Sequence, residues 1–390
     1  MNWARRVFVA TLVTLGSACA MKHEQFPMPE GRACPAPDAL GAATDLSLSW
    51  YSPVRSGDQK ALAEWCTTVG PAVVDSIPAE GFSGWQSGDS LAVVTWNLHG
   101  GAGDLLGFID RELGLSCGEG SREPRTHFSS FVLLIQEAFR RSEVVPVVAD
   151  GPTLPPPLKE KPRPGPRVDI VEVAQRCGLS LFYVPSMRNG AEETEGGRED
   201  RGSAILSTLP LSDLIAIELP FEAQRRVAVA ATVHNSSRDS VRVVSVHLDV
   251  ASSLLRLLTT GNSTRQRQGL AIEDALLETE LVRAGVADSS HEARCYPYCS
   301  NEVTPRFNAT TIVGGDFNTW SVHETVIKHF YREFPDSPPH DGEPTRGAYP
   351  TDFLFFRRGF EAQAGLVPDS HRLVQDSYHS DHKARIVWLR

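Results

Sequence analysis

From Leu91 onward, apolar residues of this chain recur in short runs of strand length, rich in Val, Ile and Phe. The runs are Leu91–Trp96, Phe131–Ile135, Ala204–Leu206, Val227–Val233, Val241–Val246, Thr310–Val313, Phe353–Phe356 and Ile386–Leu389. Runs this short and this rich in β-branched and aromatic residues predict buried strands. Longer patterns with a helical period lie between them. They predict helices over Asp104–Leu113, Val168–Cys177 (with Gly178 as the stop), Gln266–Ala284 and Val322–Phe334. In the longest, Leu270, Leu277 and Leu281 mark the expected apolar side. Strands interleaved with helices predict an α/β domain. Alternating polarity, as in Val241-Arg242-Val243, adds an expectation of antiparallel pairing.

Two stretches break the rhythm. Pro146 to Pro166 is proline-rich and reads as an extended surface loop, and Asn189 to Asp200 is acidic and glycine-containing and reads as another loop. Strand-and-helix text resumes after each, so neither reads as a domain linker. Residues 21–88 are mixed in pattern, with one helical stretch near Asp58–Cys66, and are expected to form an N-terminal preface of unassigned role packed on a main domain of residues 89–390. Cys34 and Cys66 are candidates to tie that preface down.

Residues 1–20 read as a secretory signal: Arg5 and Arg6, the apolar run Val7–Leu15, then Gly-Ser-Ala-Cys-Ala. Cleavage after Ala20 and lipidation at Cys19 both fit, so the expected destination is periplasmic or extracellular, with a lipid anchor as one form. No segment reaches the length of a membrane span in the mature chain. Six cysteines then remain, Cys34, Cys66, Cys117, Cys177, Cys295 and Cys299. An even set in an oxidising compartment predicts disulfides. The rival, a structural zinc site, lacks a second cysteine pair or histidine pair at suitable spacing. A net charge of −10 over 390 residues argues against a broad basic face that grips duplex nucleic acid non-specifically.

The chemistry sits at the strand ends. "VVTWNLHG" ends on Asn97 and His99, "LLIQEAF" carries Gln136 and Glu137, "VVSVHLD" carries His247, and "IVGGDFN" carries Asp316 and Asn318. "PTDFLFF" opens a strand with Asp352, and "HSDHKARIVWL" places Asp381 and His382 before the last strand. Singly, each has an ordinary reading as a turn former, a helix-start charge or a core histidine. Together they put carboxylates, amides and imidazoles where α/β folds form their ligand crevice. Such a set suits a divalent cation and a phosphate.

The ordered set Trp96-Asn97, Gln136-Glu137, Arg201-Gly202-x-Ala204, His247-Leu248, Gly315-Asp316-Phe317-Asn318, Asp352 and Ser380-Asp381-His382 resembles the endonuclease/exonuclease/phosphatase superfamily, over roughly Leu91 to the C-terminus. That superfamily includes deoxyribonuclease I-like, apurinic endonuclease-like and neutral sphingomyelinase-like proteins. The resemblance implies a four-layered sandwich of two packed mixed β-sheets flanked by helices. It implies Mg²⁺ (or Mn²⁺ or Ca²⁺) held by Asn97, Glu137 and Asp381. It also implies catalytic roles for His247, Asp316, Asn318, Asp352 and His382, with Arg201 and Asn318 binding substrate. Asp316 would prepare the attacking water, His247 would donate to the phosphate, and Asp352 would hold the His382 ring. Two departures stand out: Phe353 follows Asp352 where relatives often have Tyr, and His99 stands where some nucleases have an acid. The activity implied is hydrolysis of phosphodiesters, with nucleic acid favoured over phospholipid and no obligate protein partner evident. The alternatives are a sphingomyelinase or phospholipase C-type enzyme, a phosphoinositide phosphatase and, behind these, a non-catalytic binding protein on the same scaffold. A membrane-facing enzyme would need an exposed aromatic rim, for which Tyr296, Tyr298 and Trp320 are the candidates.

Overall fold

The computed structural model describes residues 23–27, 38–39, 48–53, 56–77, 90–117, 130–146, 166–188, 198–221, 224–234, 240–250, 264–283, 309–339, 342–359 and 368–390. Two mixed sheets form the centre. The first runs in the order β1 (His23–Pro27), β3 (Leu48–Pro53), β9 (Ser212–Glu218), β10 (Val227–His234), β11 (Ser240–His247), β12 (Thr310–Asp316) and β13 (Asp352–Arg357). The second runs β14 (Pro368–Leu373), β15 (Arg385–Leu389), β5 (Leu91–Asn97), β6 (Ser130–Arg141), β8 (Glu199–Ser207), β7 (Ser180–Arg188), β4 (Val73–Asp75) and β2 (Asp38–Ala39). Among the described residues five helices accompany them: α1 (Ser56–Cys66), α2 (Leu105–Leu113), α3 (Ile170–Cys177), α4 (Thr264–Arg283) and α5 (Thr325–Glu333). None is long and apolar enough to cross a membrane.

Three apolar clusters define four layers, as the resemblance implied. One joins the facing sides of the sheets through Val93, Val132 and Ile205 on one and Val229, Val243 and Ile312 on the other. A second seats α2 and α3 on the outer face of the second sheet through Phe108, Ile109 and Val173. A third seats α4 and α5 on the outer face of the first through Ile272, Leu276 and Phe330. Strands covered on both faces have no solvent side, which is why they read as continuous apolar runs.

The structure changes several element readings. Arg242 is not a solvent-facing residue: it is fully buried under α4 and pairs with Glu280, and its strand β11 pairs antiparallel with β10 but parallel with β12. The buried side of α4 is Ala271, Ile272, Ala275 and Leu276 rather than Leu270 and Leu277, which are half-buried. Polar residues on that side masked the stripe. Gln268 accepts from the Asp249 backbone N–H, and Thr279 bonds the Tyr51 hydroxyl. Glu199 and Asp200, placed in a loop by their charge, lie in β8, where Asp200 takes a bidentate contact from buried Arg140. Residues 48–53 and 73–75 are strands of the two sheets, so the boundary drawn at residue 88 separates members of the same sheets. Cys117 and Cys177 form a disulfide that ties the segment after α2 to the end of α3, and Cys66 is also disulfide-bonded. The remaining cysteines, with Tyr296 and Tyr298, lie outside the described residues.

Candidate active site

The two sheets present their polar strand ends to each other at one end of the sandwich. In the first sheet β11, β12 and β13 are adjacent, and register aligns their termini: His247 pairs with Asp316 and Asp316 with Asp352. Three functional side chains far apart in sequence therefore form one row. In the second sheet β15, β5, β6 and β8 are adjacent, bringing together Asp381 just before β15, Asn97 at the end of β5, Glu137 in β6 and Arg201 in β8.

The "GGD" preceding Asn318 follows from this crowding. A Cβ on Gly314 would meet Leu354 and Leu134, and one on Gly315 would strike the backbone carbonyl of Val246. Only glycine lets β11 and β12 approach closely enough to seat Asp316 beside His247. Beyond it Asn318 adopts φ +50°, and its N–H donates to Asp316 Oδ1 at 2.7 Å while its amide donates to the Leu248 carbonyl at 2.8 Å. Glu137 also sits at positive φ, +51°, where the register of β6 against β8 slips between Ile135 and Ala138. That bulge re-aims the carboxylate. His99, at φ +56°, is the third strained residue here, and such strain concentrates at functional sites. Gln136, neighbour of Glu137, bridges the sheets instead: its amide donates to Ser245 Oγ at 3.1 Å.

Asp316 is the hub. Its Oδ2 accepts from the Asn97 amide at 3.0 Å and lies 3.5 Å from His247 Nε2 and 3.7 Å from His382 Nε2. Burial, reinforced by Asp352 and opposed by His382, pushes its carboxyl up to about 6. Asp352 accepts from His382 Nδ1 and from the Thr351 hydroxyl, both at 2.8 Å. Burial would raise Asp352, but the His382 ring and the Thr345 and Thr351 hydroxyls hold it below the usual carboxylate range. Burial likewise works against a proton on His382, yet Asp352, Asp316 and Asp381 outweigh it and push the ring up to about 9. His382 therefore carries both protons at neutral pH.

His247 is tuned the other way. Burial, then the charges of Arg226, Arg201, His382 and Arg346, push it well below its ordinary 6.5. Arg226 Nη1 lies 3.0 Å from His247 Nδ1. A guanidinium only donates, so Nδ1 must accept and the single ring proton must sit on Nε2, the nitrogen nearest Asp316. Arg226 was not singled out from the sequence, because one member of an Arg-Arg pair at a strand start looks like any surface cation. Here it is buried and within range of Asp249, Glu137 and Asp316.

Glu137 accepts from Arg201 Nη1 at 3.1 Å. Asp381 pairs with His99 Nδ1 and, at 2.9 Å, with Arg346 Nη2. Arg346 is the second residue the sequence reading passed over, and it feels Asp381, Asp316 and Glu137 together. The proposed metal ligands Asn97 and Glu137, on adjacent strands, and Asp381, just before the neighbouring β15, are thus in one electrostatic neighbourhood, each carboxylate matched by a side-chain cation. Their donors are all oxygen and both carboxylates are partly exposed, a set that fits a hard cation which keeps several waters. A tighter group, Asp316, Asp352 and His382, has ligand atoms within 4.8 Å of one another. Its closeness comes from the Asp352–His382 hydrogen bond, which occupies one ring nitrogen and gives the group the form of a proton-handling dyad facing an acid.

The chain resembles the endonuclease/exonuclease/phosphatase superfamily. Comparison with solved structures finds an endonuclease/exonuclease/phosphatase from Beutenbergia cavernae at 15% identity, covering 77% of this chain and 72% of that one, with a TM-score of 0.47. It also finds truncated Caenorhabditis elegans TDP2 at 13% identity, covering 77% and 98%, with a TM-score of 0.38. Beta toxin from Staphylococcus aureus matches at 13% identity, covering 76% and 99%, with a TM-score of 0.39. No family model and no curated protein sequence matches the chain.

Proposed function

We propose that this chain is an exported, divalent-metal-dependent phosphoesterase that hydrolyses phosphodiester bonds, with nucleic acid as its substrate. The supporting observation is the meeting of two rows across the sandwich: His247, Asp316 and Asp352 with His382 on one side, and Asn97, Glu137, Asp381 and Arg201 on the other. One row handles protons and the other offers oxygen ligands and a guanidinium to a phosphate. A hard cation held by Glu137, Asp381 and Asn97 would polarise a phosphoryl oxygen and steady charge on the leaving oxygen.

The chain's own groups divide the remaining work. Asp316, with its carboxyl near 6, is a base at neutral pH and takes a proton from the attacking water. Oxygen of that water bonds to phosphorus and the bond to the leaving oxygen breaks. The Nε2–H groups of His247 and protonated His382 flank Asp316 and donate to the phosphoryl oxygens as charge grows on them. Asn318, whose amide is already anchored to Leu248, adds its second N–H to the same oxygens. Arg201 holds the phosphate beside Glu137. The disulfide of Cys117 with Cys177 supports the exported reading, and the leader at residues 1–20, with cleavage after Ala20 or lipidation at Cys19, would supply the route.

The test is a phosphoester panel on the mature protein: oligonucleotides, sphingomyelin, inositol phosphates and bis-p-nitrophenyl phosphate, each with Mg²⁺ and with EDTA. Mg²⁺-dependent hydrolysis that falls by roughly 10²–10⁴ in Asp316→Asn is the expected result. Equal rates in EDTA, or no phosphoester hydrolysed, would overturn the reading.

A further inference from the structure

Among the described residues the large apolar side chains left exposed are Val144, Trp320 and Tyr349, at 47%, 49% and 50%. Two of the three stand on loops that carry candidate site residues. Trp320 stands two residues after Asn318, and Tyr349 three residues before Asp352. Their loops are laced together: the Phe317 N–H donates to the Thr351 carbonyl at 2.8 Å, and the Thr319 hydroxyl donates to the Pro350 carbonyl at 2.9 Å. The residues next to the two rings are thus joined directly. Arg346, from the same turn as Tyr349, reaches Asp381 at 2.9 Å and so links these loops to the oxygen ligands.

Both loops are braced by hydrogen bonds, which separates these rings from casual surface residues. The Trp320 N–H donates to Glu324 Oε1 at 2.7 Å, Glu324 N–H returns to the Ser321 carbonyl at 3.2 Å, and Glu324 is held by buried Arg265. Tyr349 closes a turn with Arg346 by reciprocal backbone bonds of 2.9 and 3.1 Å, and its carbonyl also takes the Thr345 N–H at 3.0 Å. The rings are presented to solvent by braced backbone, so binding them costs little further ordering. In the chain they are flanked mainly by polar residues, Ser321, His323 and Glu324 after Trp320 and Arg346 before Tyr349, with Val322 packed against the core under α5. A membrane-inserting rim needs contiguous apolar area, whereas two flat rings beside a guanidinium and a phosphate site match a base with its backbone.

Building on the phosphodiesterase reading, we propose that Trp320 and Tyr349 are a stacking platform for the nucleobases flanking the scissile phosphate, with Arg346 on the backbone between platform and centre. The substrate is therefore nucleic acid with bare base faces: single strands, unpaired ends or frayed duplex. Bases inside an intact duplex have their faces covered by their neighbours and cannot use the platform.

The experiment measures binding apart from turnover. Fluorescence anisotropy of a labelled short oligothymidylate is read in EDTA for wild type, Trp320→Ala, Tyr349→Ala and Trp320→Phe, and repeated with an abasic oligomer of the same phosphate count. Each alanine is expected to weaken thymidylate binding by roughly 5- to 100-fold, the size of one lost base–aromatic stack, with Trp320→Phe near wild type and abasic binding unchanged. Sphingomyelin–phosphatidylcholine vesicles are the third arm. Equal thymidylate affinity across the variants, no oligonucleotide binding by wild type, an equal loss on the abasic oligomer, or a loss confined to vesicles would each overturn the platform. Because no bond is cleaved in EDTA, these outcomes stand apart from failure of the phosphoester panel, which tests the catalytic reading itself.

Discussion

Replacing Asp316 by Asn tests the hub of the site in two independent ways. The first is chemical. The substitution keeps an acceptor for the Asn318 N–H but removes the group that takes the water's proton, so turnover should fall by roughly 10²–10⁴. The second is energetic. Burial moves this carboxyl from 3.8 to about 6, a raised folded pKa. Its contribution to stability is therefore full below the unfolded value and is lost as pH rises through about 6. A shift of roughly 2 units corresponds to on the order of 3 kcal/mol by neutral pH, at about 1.4 kcal/mol per unit. Asn carries no charge and escapes that loss, but its amide must face the Asn97 amide where Oδ2 accepted at 3.0 Å, costing about 1 kcal/mol or more. The variant should therefore be more stable than wild type by about 1–2 kcal/mol near pH 8 and equal or weaker near pH 4.5. Urea unfolding in EDTA at the two pH values reads the second effect, and hydrolysis of the best substrate in the panel reads the first. Unchanged turnover, or a stability difference that ignores pH, would refute the reasoning.

Glu137→Gln should raise the Mg²⁺ concentration needed for half-maximal rate, with part of the rate returning at high Mg²⁺; wild-type behaviour at limiting metal would reduce Glu137 to a bulge residue paired with Arg201. Arg226→Met should free His247 Nδ1, move the ring's titration back toward its ordinary 6.5 and lower turnover by roughly 10-fold or more. Nitrogen-detected NMR of the imidazole checks the tautomer, and an unchanged Nε2–H form would show that something other than Arg226 sets it. Breaking the Cys117–Cys177 bond by a double Ser substitution, across a separation of 60 residues, should lower unfolding stability by about 2–4 kcal/mol; a urea midpoint equal to wild type would count against it.

Much of this protein is determined locally and was legible in the sequence. Short β-branched runs alternate with helical stretches because both faces of each sheet are covered, and residues such as Asn97, His247 and Asp316 stand out in the sequence because each ends an apolar run. The ordered resemblance supplied the candidate set, whereas the close approach that requires Gly314 and Gly315 was visible only in the structure. Tertiary structure decided the rest. Register alone sets His247, Asp316 and Asp352 side by side, and pairing partners are not written in the strand that needs them. Arg226 and Arg346 became site residues only through neighbours about twenty and thirty-five positions away, since the meaning of an arginine depends on the charge it faces and on its burial. The buried side of α4 was hidden for the same reason: Gln268 and Thr279 look like surface residues until the Asp249 backbone and the Tyr51 hydroxyl arrive to satisfy them. The protonation states also belong to the folded form. Two histidines with the same intrinsic affinity are driven in opposite directions, His247 down by burial and then by the cations around it, His382 up because Asp352, Asp316 and Asp381 outweigh its burial.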